Sequence, residues 1–338
     1  NLIADIKSES TGKCLLLEGH TDVVSEGDPS LWTFDPFSGK LTNGRIFGRG
    51  ACDMKAGLAV NMLCAKTLIN SKSDFKGKLK LGFICDEEGM MLGIKHFIEK
   101  GHADEVDAAM ISEPEENQLC LSMKGAIRAI VRVRGKMAHG SMPKTGINPS
   151  TKLAKIILAF EDYETREIAR LGEDPHLGYP SITFTVVQAP PQEEPHQFNV
   201  IPGEAVGYVD IRTVLAQDHE TVKADLRSIL NDLTKEDSEL KAKLGFIEGR
   251  PVVAIDKNEP IVRIASQSYT DITGNAPVYS GVPGATDGTY LQALKHIPTL
   301  VTGPGLKTMP HQINEYVDIE QVHEAAKLYL LTAYRFLT

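Results

Sequence analysis

A chain of 338 residues is long for a single core, taking roughly 150 residues per domain as a soft prior, and reads as two domains. Its net charge of −9 argues against a nucleic-acid partner, because phosphate binding needs an electropositive face. It contains no run of about 18 apolar residues, so no segment is suited to span a bilayer as a helix and no membrane partner is expected.

The first third alternates short apolar runs with helical periodicity. CLLLEG predicts a strand, and a helix follows from about Met54 to Ile69 with Leu58, Met62, Ala65 and Ile69 on one face. LKLGFIC predicts the next strand, MLGIKHFIEKG a helix closed by Gly101, and DAAMIS a further buried strand. Strands alternating with helices predict a mostly parallel central sheet flanked by helices, the α/β class. EPEENQ is polar and marks a candidate crossing between domains.

From about Met123 the texture changes. In SMKGAIRAIVRVRGK, Arg128, Arg132 and Arg134 share one face while Ile127, Ala129, Val131 and Val133 share the other, which predicts a strand with one wet face. A helix over Pro149 to Leu171, strands at SITFTVVQ and AVGYVDIRTV, a helix from His219 to Leu233 and a strand near Gly245 to Val253 complete this block. That order suits an open-faced α+β sandwich. A second crossing falls around Val253 to Pro260. After Asp256 the α/β texture returns, with a helix near Thr286 to Lys295, a strand at HIPTLVTG and a last helix after the Asp318…Gln321 capping signal. Residues 121–253 therefore read as an insertion into a domain built from residues 1–120 and 254–338.

Cys14, Cys52, Cys64, Cys85 and Cys120 are odd in number, scattered and without CxxC pairs. That usage suits a reducing compartment, and the expected location is cytoplasmic.

Acidic and imidazole side chains cluster just past strand ends: His20 after CLLLEG, Glu87-Glu88 after LKLGFIC, Glu113 after AAMIS and His311 beyond PTLVTG. In an open α/β sheet that edge is where sites form. A divalent ion such as zinc accepts imidazole nitrogen and carboxylate oxygen, and two ions sharing a carboxylate need roughly five protein groups. His20, Asp53, Glu88, Glu113 and His311 supply such a set. Taken singly, each has a plainer reading as a helix cap, a loop residue or a hydrogen-bonded histidine. It is the joint pattern that points to a metal centre.

That pattern is GHTDVV at 19–24, GRGACDMKAG at 48–57, DEEG at 86–89, SEP at 112–114, GKMAHGSMP at 135–143 and HQINEYV at 311–317. In this order and spacing it resembles the dinuclear zinc aminohydrolases and metallopeptidases that include aminoacylase, acetylornithine deacetylase, succinyl-diaminopimelate desuccinylase and glutamate carboxypeptidase. The resemblance runs from Asn1 to the C-terminus. It implies a catalytic domain carrying two divalent ions, zinc first with cobalt or manganese as substitutes, and an inserted lid that also forms a homodimer. Asp53 would bridge, His20 and Glu113 would bind one ion, and Glu88 and His311 the other. The Asp22 carboxylate would accept the second ring N–H of His20 and fix its tautomer.

Adjacent residues in extended backbone face opposite ways, so Glu87 would turn toward substrate as general base for attack by metal-bound hydroxide while Glu88 binds metal. A third ligand is the alternative role for Glu87. The resemblance makes His139 a donor to the developing oxyanion, often from the partner subunit, although the motif reads AHGS where the family often has AHSS. Arg212 and Asn199 resemble lid positions that grip the substrate carboxylate, a cross-strand ion pair being the other reading of Arg212. The loop SGVPGATDG, with Gly284, could offer N–H groups to the same anion. A cis peptide after Asp53 is implied as well. Family members usually carry a helix and strands before the segment resembling Asn1 to Lys7, so the N-terminal part of the catalytic domain is expected to be missing here.

The expected activity is hydrolysis of the amide of a small N-acyl amino acid, by deacetylase or desuccinylase chemistry. A dipeptidase or a glutamate-carboxypeptidase-like enzyme is the nearest alternative. An inactive zinc-binding protein is the remaining one, disfavoured because it would have no chemical need for Glu87.

Overall fold

The structure, a computed structural model, describes residues 1–71, 74–191 and 197–338. In chain order it opens with Leu2–Lys7 (β1), Cys14–His20 (β2) and the short pair Lys40–Thr42 (β3) and Arg45–Phe47 (β4). Ala56–Ser71 (α1), Lys78–Ile84 (β5), Leu92–Glu99 (α2), Ala108–Ile111 (β6) and Leu119–Met123 (β7) follow. The chain then forms a second compact unit, Lys124–Val252. Its elements are Gly125–Arg134 (β8), Ala138–His139 (β9), Pro149–Leu171 (α3), Ser181–Gln188 (β10), Val200–Ile201 (β11), Glu204–Thr213 (β12), His219–Glu236 (α4) and Lys241–Arg250 (β13). The first unit resumes with Val253–Ala254 (β14), Pro260–Thr273 (α5), Tyr279–Val282 (β15), Gly288–Lys295 (α6), Thr299–Val301 (β16), Tyr316–Asp318 (β17) and Ile319–Leu337 (α7).

An 8-stranded sheet in the order β1-β5-β2-β6-β16-β7-β14, with β15 beside β7, organises the first unit. β2 lies parallel to both β5 and β6, and β6 parallel to β16, so three neighbouring strand ends point to one edge around β2. Within this sheet, among the described residues, antiparallel pairing is confined to β1 on β5 and to β14 and β16 on β7, while β17, β4 and β3 form a separate antiparallel sheet. Both faces are covered: Leu15 and Leu17 pack under α1, α5 and α7 with Leu68, Ile261, Tyr329 and Phe336, while Leu16 packs with Ile94, Phe97 and Leu291 of α2 and α6. Burial on alternate sides explains why β2 reads as an unbroken apolar run.

Helix α1 begins at Ala56 and not at Met54, because Asp53 and Met54 leave helical dihedrals. Its buried stripe also differs from the expected one. Leu58 and Ala65 are buried as expected, but Met62 and Ile69 are exposed, and Gly57, Val60, Asn61, Cys64 and Leu68 also face inward. Gly57 sets this rotation, since a Cβ there would meet the Ser112 carbonyl oxygen at 2.2 Å. The last helix does start at Asp318, but that side chain makes no cap bond. Its Oδ1 accepts from Arg45 Nε at 2.8 Å instead, and Gln321 Oε1 takes the Gly305 N–H. EPEENQ is followed by β7, which belongs to the same large sheet, so the passage to the second unit comes after Met123.

The second unit, taken by itself, is a 4-stranded antiparallel sheet in the order β10-β12-β8-β13. Ile127, Ala129, Val131 and Val133 pack against Phe160, Leu226 and Leu230 of α3 and α4. The arginines lie on the uncovered face, where Arg128 pairs with Glu248 at 3.3 Å and Arg132 with Glu204 at 3.4 Å. The final strand starts at Lys241, earlier than its expected span, and Val253 belongs to the other sheet.

Candidate metal centre

The C-terminal ends of the parallel strands β2, β5 and β6 deliver His20, the turn bearing Glu87 and Glu88, and Glu113. Asp53 comes from the non-helical segment before α1, where the Asp53–Met54 peptide is cis, the isomer the resemblance implies. His311, with φ 66°, enters from the loop beyond β16.

These residues meet. Asp53 Oδ1 lies 3.0 Å from His20 Nε2 and Asp53 Oδ2 3.4 Å from His311 Nε2. On the His20 side Glu113 Oε1 stands 3.8 Å from Nε2, and on the His311 side Glu88 Oε1 stands 2.9 Å from Nε2. One carboxylate thus directs an oxygen to each of two imidazole–carboxylate pairs. Ligand atoms of His20, Asp53 and Glu88 all lie within 4.8 Å of one another. Imidazole nitrogen with carboxylate oxygen is the donor set of zinc and similar divalent ions, and the residues fit such ions.

The electrostatics describe a centre short of positive charge. The Asp53 and Glu88 carboxylates raise the His311 imidazole to about 10. Burial opposes protonation of His20, yet the hydrogen bond it donates to Asp53 and the nearby Glu113 and Glu87 carboxylates hold its pKa well above the usual value. Burial also works against the charge on Asp53, but bonds from both histidines keep its carboxyl below the carboxylate range. Glu113 is pushed well above that range by burial and by Asp53, and Glu87 to about 8 by burial and by Asp287. The four upward shifts, on His20, His311, Glu113 and Glu87, are those of groups for which a proton supplies charge the site otherwise lacks, while Asp53 stays ionised between the two imidazoles.

Two expectations about side-chain roles are corrected. His20 Nδ1 bonds to the backbone carbonyl of Asp22 at 3.0 Å, while the Asp22 carboxylate stands 3.7 Å away. That carboxylate is engaged elsewhere, accepting the N–H groups of Glu87 at 3.3 Å and Glu88 at 3.2 Å. Residues 87–90 form a turn and not an extended segment, and Asp86 before them takes φ 66°. The two side chains still part: Glu88 reaches His311, whereas Glu87 is 8% exposed beside Asp287 and His20.

Behind the centre, Glu18 and Asp287 are wholly buried, and burial raises the Glu18 carboxyl to about 8. Neither residue is singled out by the motifs, although Glu18 lies in CLLLEG and Asp287 in SGVPGATDG, and a glutamate inside an apolar strand run is a visible signal. The loop that carries Gly284 leads into α6, which starts at Gly288, two residues later than expected. The Gly288 N–H is taken by Thr286 Oγ1 at 3.1 Å, so this loop spends one of its donors internally.

His139 and Asn199 come together within the second unit, where β9 pairs with β11 in the register His139 to Val200. His139 Nδ1 bonds Ser141 Oγ at 2.8 Å, and the Gly140 N–H donates to the Asn199 carbonyl at 2.6 Å. A Cβ at position 140 would sit 3.2 Å from that carbonyl oxygen, a close approach that suits glycine. Arg212 forks onto Asp210 with bonds of 2.7 and 3.0 Å. Its partner is thus two residues back on the same strand, not across the sheet.

Comparison with known proteins adds the lineage. A protein of Staphylococcus epidermidis named "Probable succinyl-diaminopimelate desuccinylase" is 27% identical over 339 residues, covering 94% of this chain and 81% of its own. An M20 family metallo-carboxypeptidase from Sulfolobus solfataricus superposes with a TM-score of 0.80 at 20% identity, covering 99% of this chain and 87% of that one. A dinuclear metal-binding M20 peptidase from Bacillus subtilis superposes with a TM-score of 0.71 at 20% identity, covering 99% and 84%. At such identities the structural matches establish the fold. The family model for peptidase family M20/M25/M40 matches residues 16–335, and the chain accordingly belongs to that family of metal-dependent hydrolases.

Proposed function

We propose that the chain cleaves the amide bond of a small N-acyl amino acid, N-succinyl or N-acetyl substrates first, with two divalent ions, zinc foremost. The observation that carries this is Asp53, with one oxygen toward His20 and the other toward His311. In this reading His20 and Glu113 would hold one ion, Glu88 and His311 the other, and Asp53 would serve both. Ions bound there would polarise the acyl carbonyl and acidify a nearby water.

Glu87 takes a proton from the attacking water as the C–O bond forms and passes one to the amine nitrogen as the C–N bond breaks. Its burial beside Asp287, turned away from the Glu88–His311 contact, suits a group that must both accept and return a proton. Asp22 holds the turn that presents it. The family resemblance supports His139 as donor to the oxyanion, and Asn199, Arg212 and the Gly284 loop as groups for the substrate carboxylate. Arg212 would exchange Asp210 for that carboxylate, a like-for-like swap for a guanidinium fork. The second unit leaves β10 and β13 as sheet edges, which supports a homodimer formed through it. Five free cysteines and the bacterial relatives support a cytoplasmic setting. Among the described residues no helix is long and apolar enough to cross a membrane.

The test is a comparison of kcat/KM for N-succinyl amino acids, N-acetyl amino acids and dipeptides on the zinc-reconstituted protein. An acyl amino acid should lead. A dipeptide in first place would make the chain a peptidase with the same centre, and no turnover of any class would favour a binding protein. Light scattering should give twice the chain mass; a monomer would remove the dimer.

A further inference from the structure

Two residues inside the conspicuous motifs have no part in the reading above: Arg49, in GRGACDMKAG, and Glu315, in HQINEYV. Both are buried, Glu315 completely. Segment 50–54 leaves regular helical backbone, with Gly50 at φ 81° and Asp53 and Met54 non-helical, so its N–H groups need acceptors that a helix would otherwise supply. Glu315 supplies them. Its oxygens accept the N–H of Cys52 at 2.8 Å, of Asp53 at 3.0 Å and of Gly50 at 3.2 Å, and Arg49 Nη1 completes the set. The other arm of the guanidinium, Nη2, donates to the His311 carbonyl at 3.4 Å, and the group lies 5.2 Å from the Trp32 ring centroid.

One ion pair therefore binds the backbone of two side chains that are remote in sequence yet share the centre. We infer that Arg49 and Glu315 are positioning residues: a clamp that sets the spacing between Asp53 and His311. This rests on the two-ion reading of the site. With four donors already bound, Glu315 is occupied as an anchor and not as a ligand. Partners that orient metal ligands from behind typically contribute about 10- to 100-fold in metal affinity, and the clamp should fall in that range.

The experiment titrates the metal-free full chain with zinc by calorimetry, with circular dichroism confirming the fold of each variant. Glu315→Gln puts an amide among converging N–H donors and should weaken both binding steps by about 10- to 100-fold, because Asp53 serves both ions. Arg49→Lys keeps a cation for Glu315 but loses the arm to His311, so its loss should fall mainly on one step. If Glu315→Gln does not fold, Arg49→Lys decides. Folded variants that bind zinc as tightly as the wild type overturn the clamp, and so does loss of fold in both, which would make the pair structural only. A wild-type chain that takes up no zinc refutes instead the two-ion reading beneath it.

Discussion

Glu87 and Glu88 are chemically identical neighbours, and their surroundings divide the labour between them. Glu88 touches His311 and lies in the cluster of atoms close enough to share an ion, whereas Glu87 is buried against Asp287 and carries a raised pKa. Glu87→Gln should therefore lower kcat by about 10²- to 10⁴-fold, the usual contribution of a general acid–base group, with zinc content unchanged by atomic absorption. Loss of zinc in that variant would make Glu87 a ligand. The residues of this centre were legible only jointly: each alone reads as a cap, a loop residue or a hydrogen-bonded histidine, and it is the order and spacing of the six motifs, with the family they resemble, that picks them out. The task of Asp22 was not legible. Spacing places it two residues beyond His20, but only the turn of the backbone decides that its carbonyl meets the ring and its carboxylate meets the Glu87 and Glu88 N–H groups.

At the scale of elements, local chemistry sets how much the sequence discloses. Helix α3 begins and ends where the pattern predicts, because Asn148 accepts the Ser150 N–H at its start and Gly172 follows its last turn at φ 70°. Strands β3, β4 and β17 have 3 residues each, too few to display a period. Helix α5 escaped notice for another reason: PIVRIASQSYTDIT is rich in β-branched and hydroxyl residues of modest helix propensity, and burial of Ile261, Val262, Ala265 and Ser268 overrides it. The rotation of α1 was hidden because apolar Met62 and Ile69 point outward while Gly57 sits against Ser112, the residue before Glu113. Gly57→Ala must push α1 away from that strand end, and should destabilise the protein by about 1–3 kcal/mol, the usual cost of overpacking. Met62→Ala, on the exposed side, should stay within about 0.5 kcal/mol. Urea unfolding of the two variants checks this, and equal midpoints would show that the helix does not dock through Gly57.

For the molecule as a whole, the metal centre should govern how stability depends on pH. Asp53, Glu87, Glu88 and Glu113 share it with two imidazoles, and Glu18 and Asp287 lie behind them. Without a cation, protons supply the missing charge. Glu87 and Glu18 move from 4.5 to about 8, and His311 from 6.5 to about 10. All three are raised, so the folded state binds more protons than the unfolded chain in these intervals. Their contribution to stability is then fully present below the unfolded values and is lost as pH climbs through the folded ones. The metal-free protein should accordingly show a falling Tm from pH 4.5 upward until about pH 10. A divalent ion occupies the place of those protons, so zinc added near pH 8 should raise Tm and expel protons, the stabilisation reaching about 2.7 kcal/mol at a free concentration 100 times Kd. Calorimetry in two buffers of different ionisation enthalpy measures the protons released. A Tm that is flat over this range, together with zinc uptake that releases none, would mean that the imidazoles and carboxylates around Asp53 do not exchange protons for a cation.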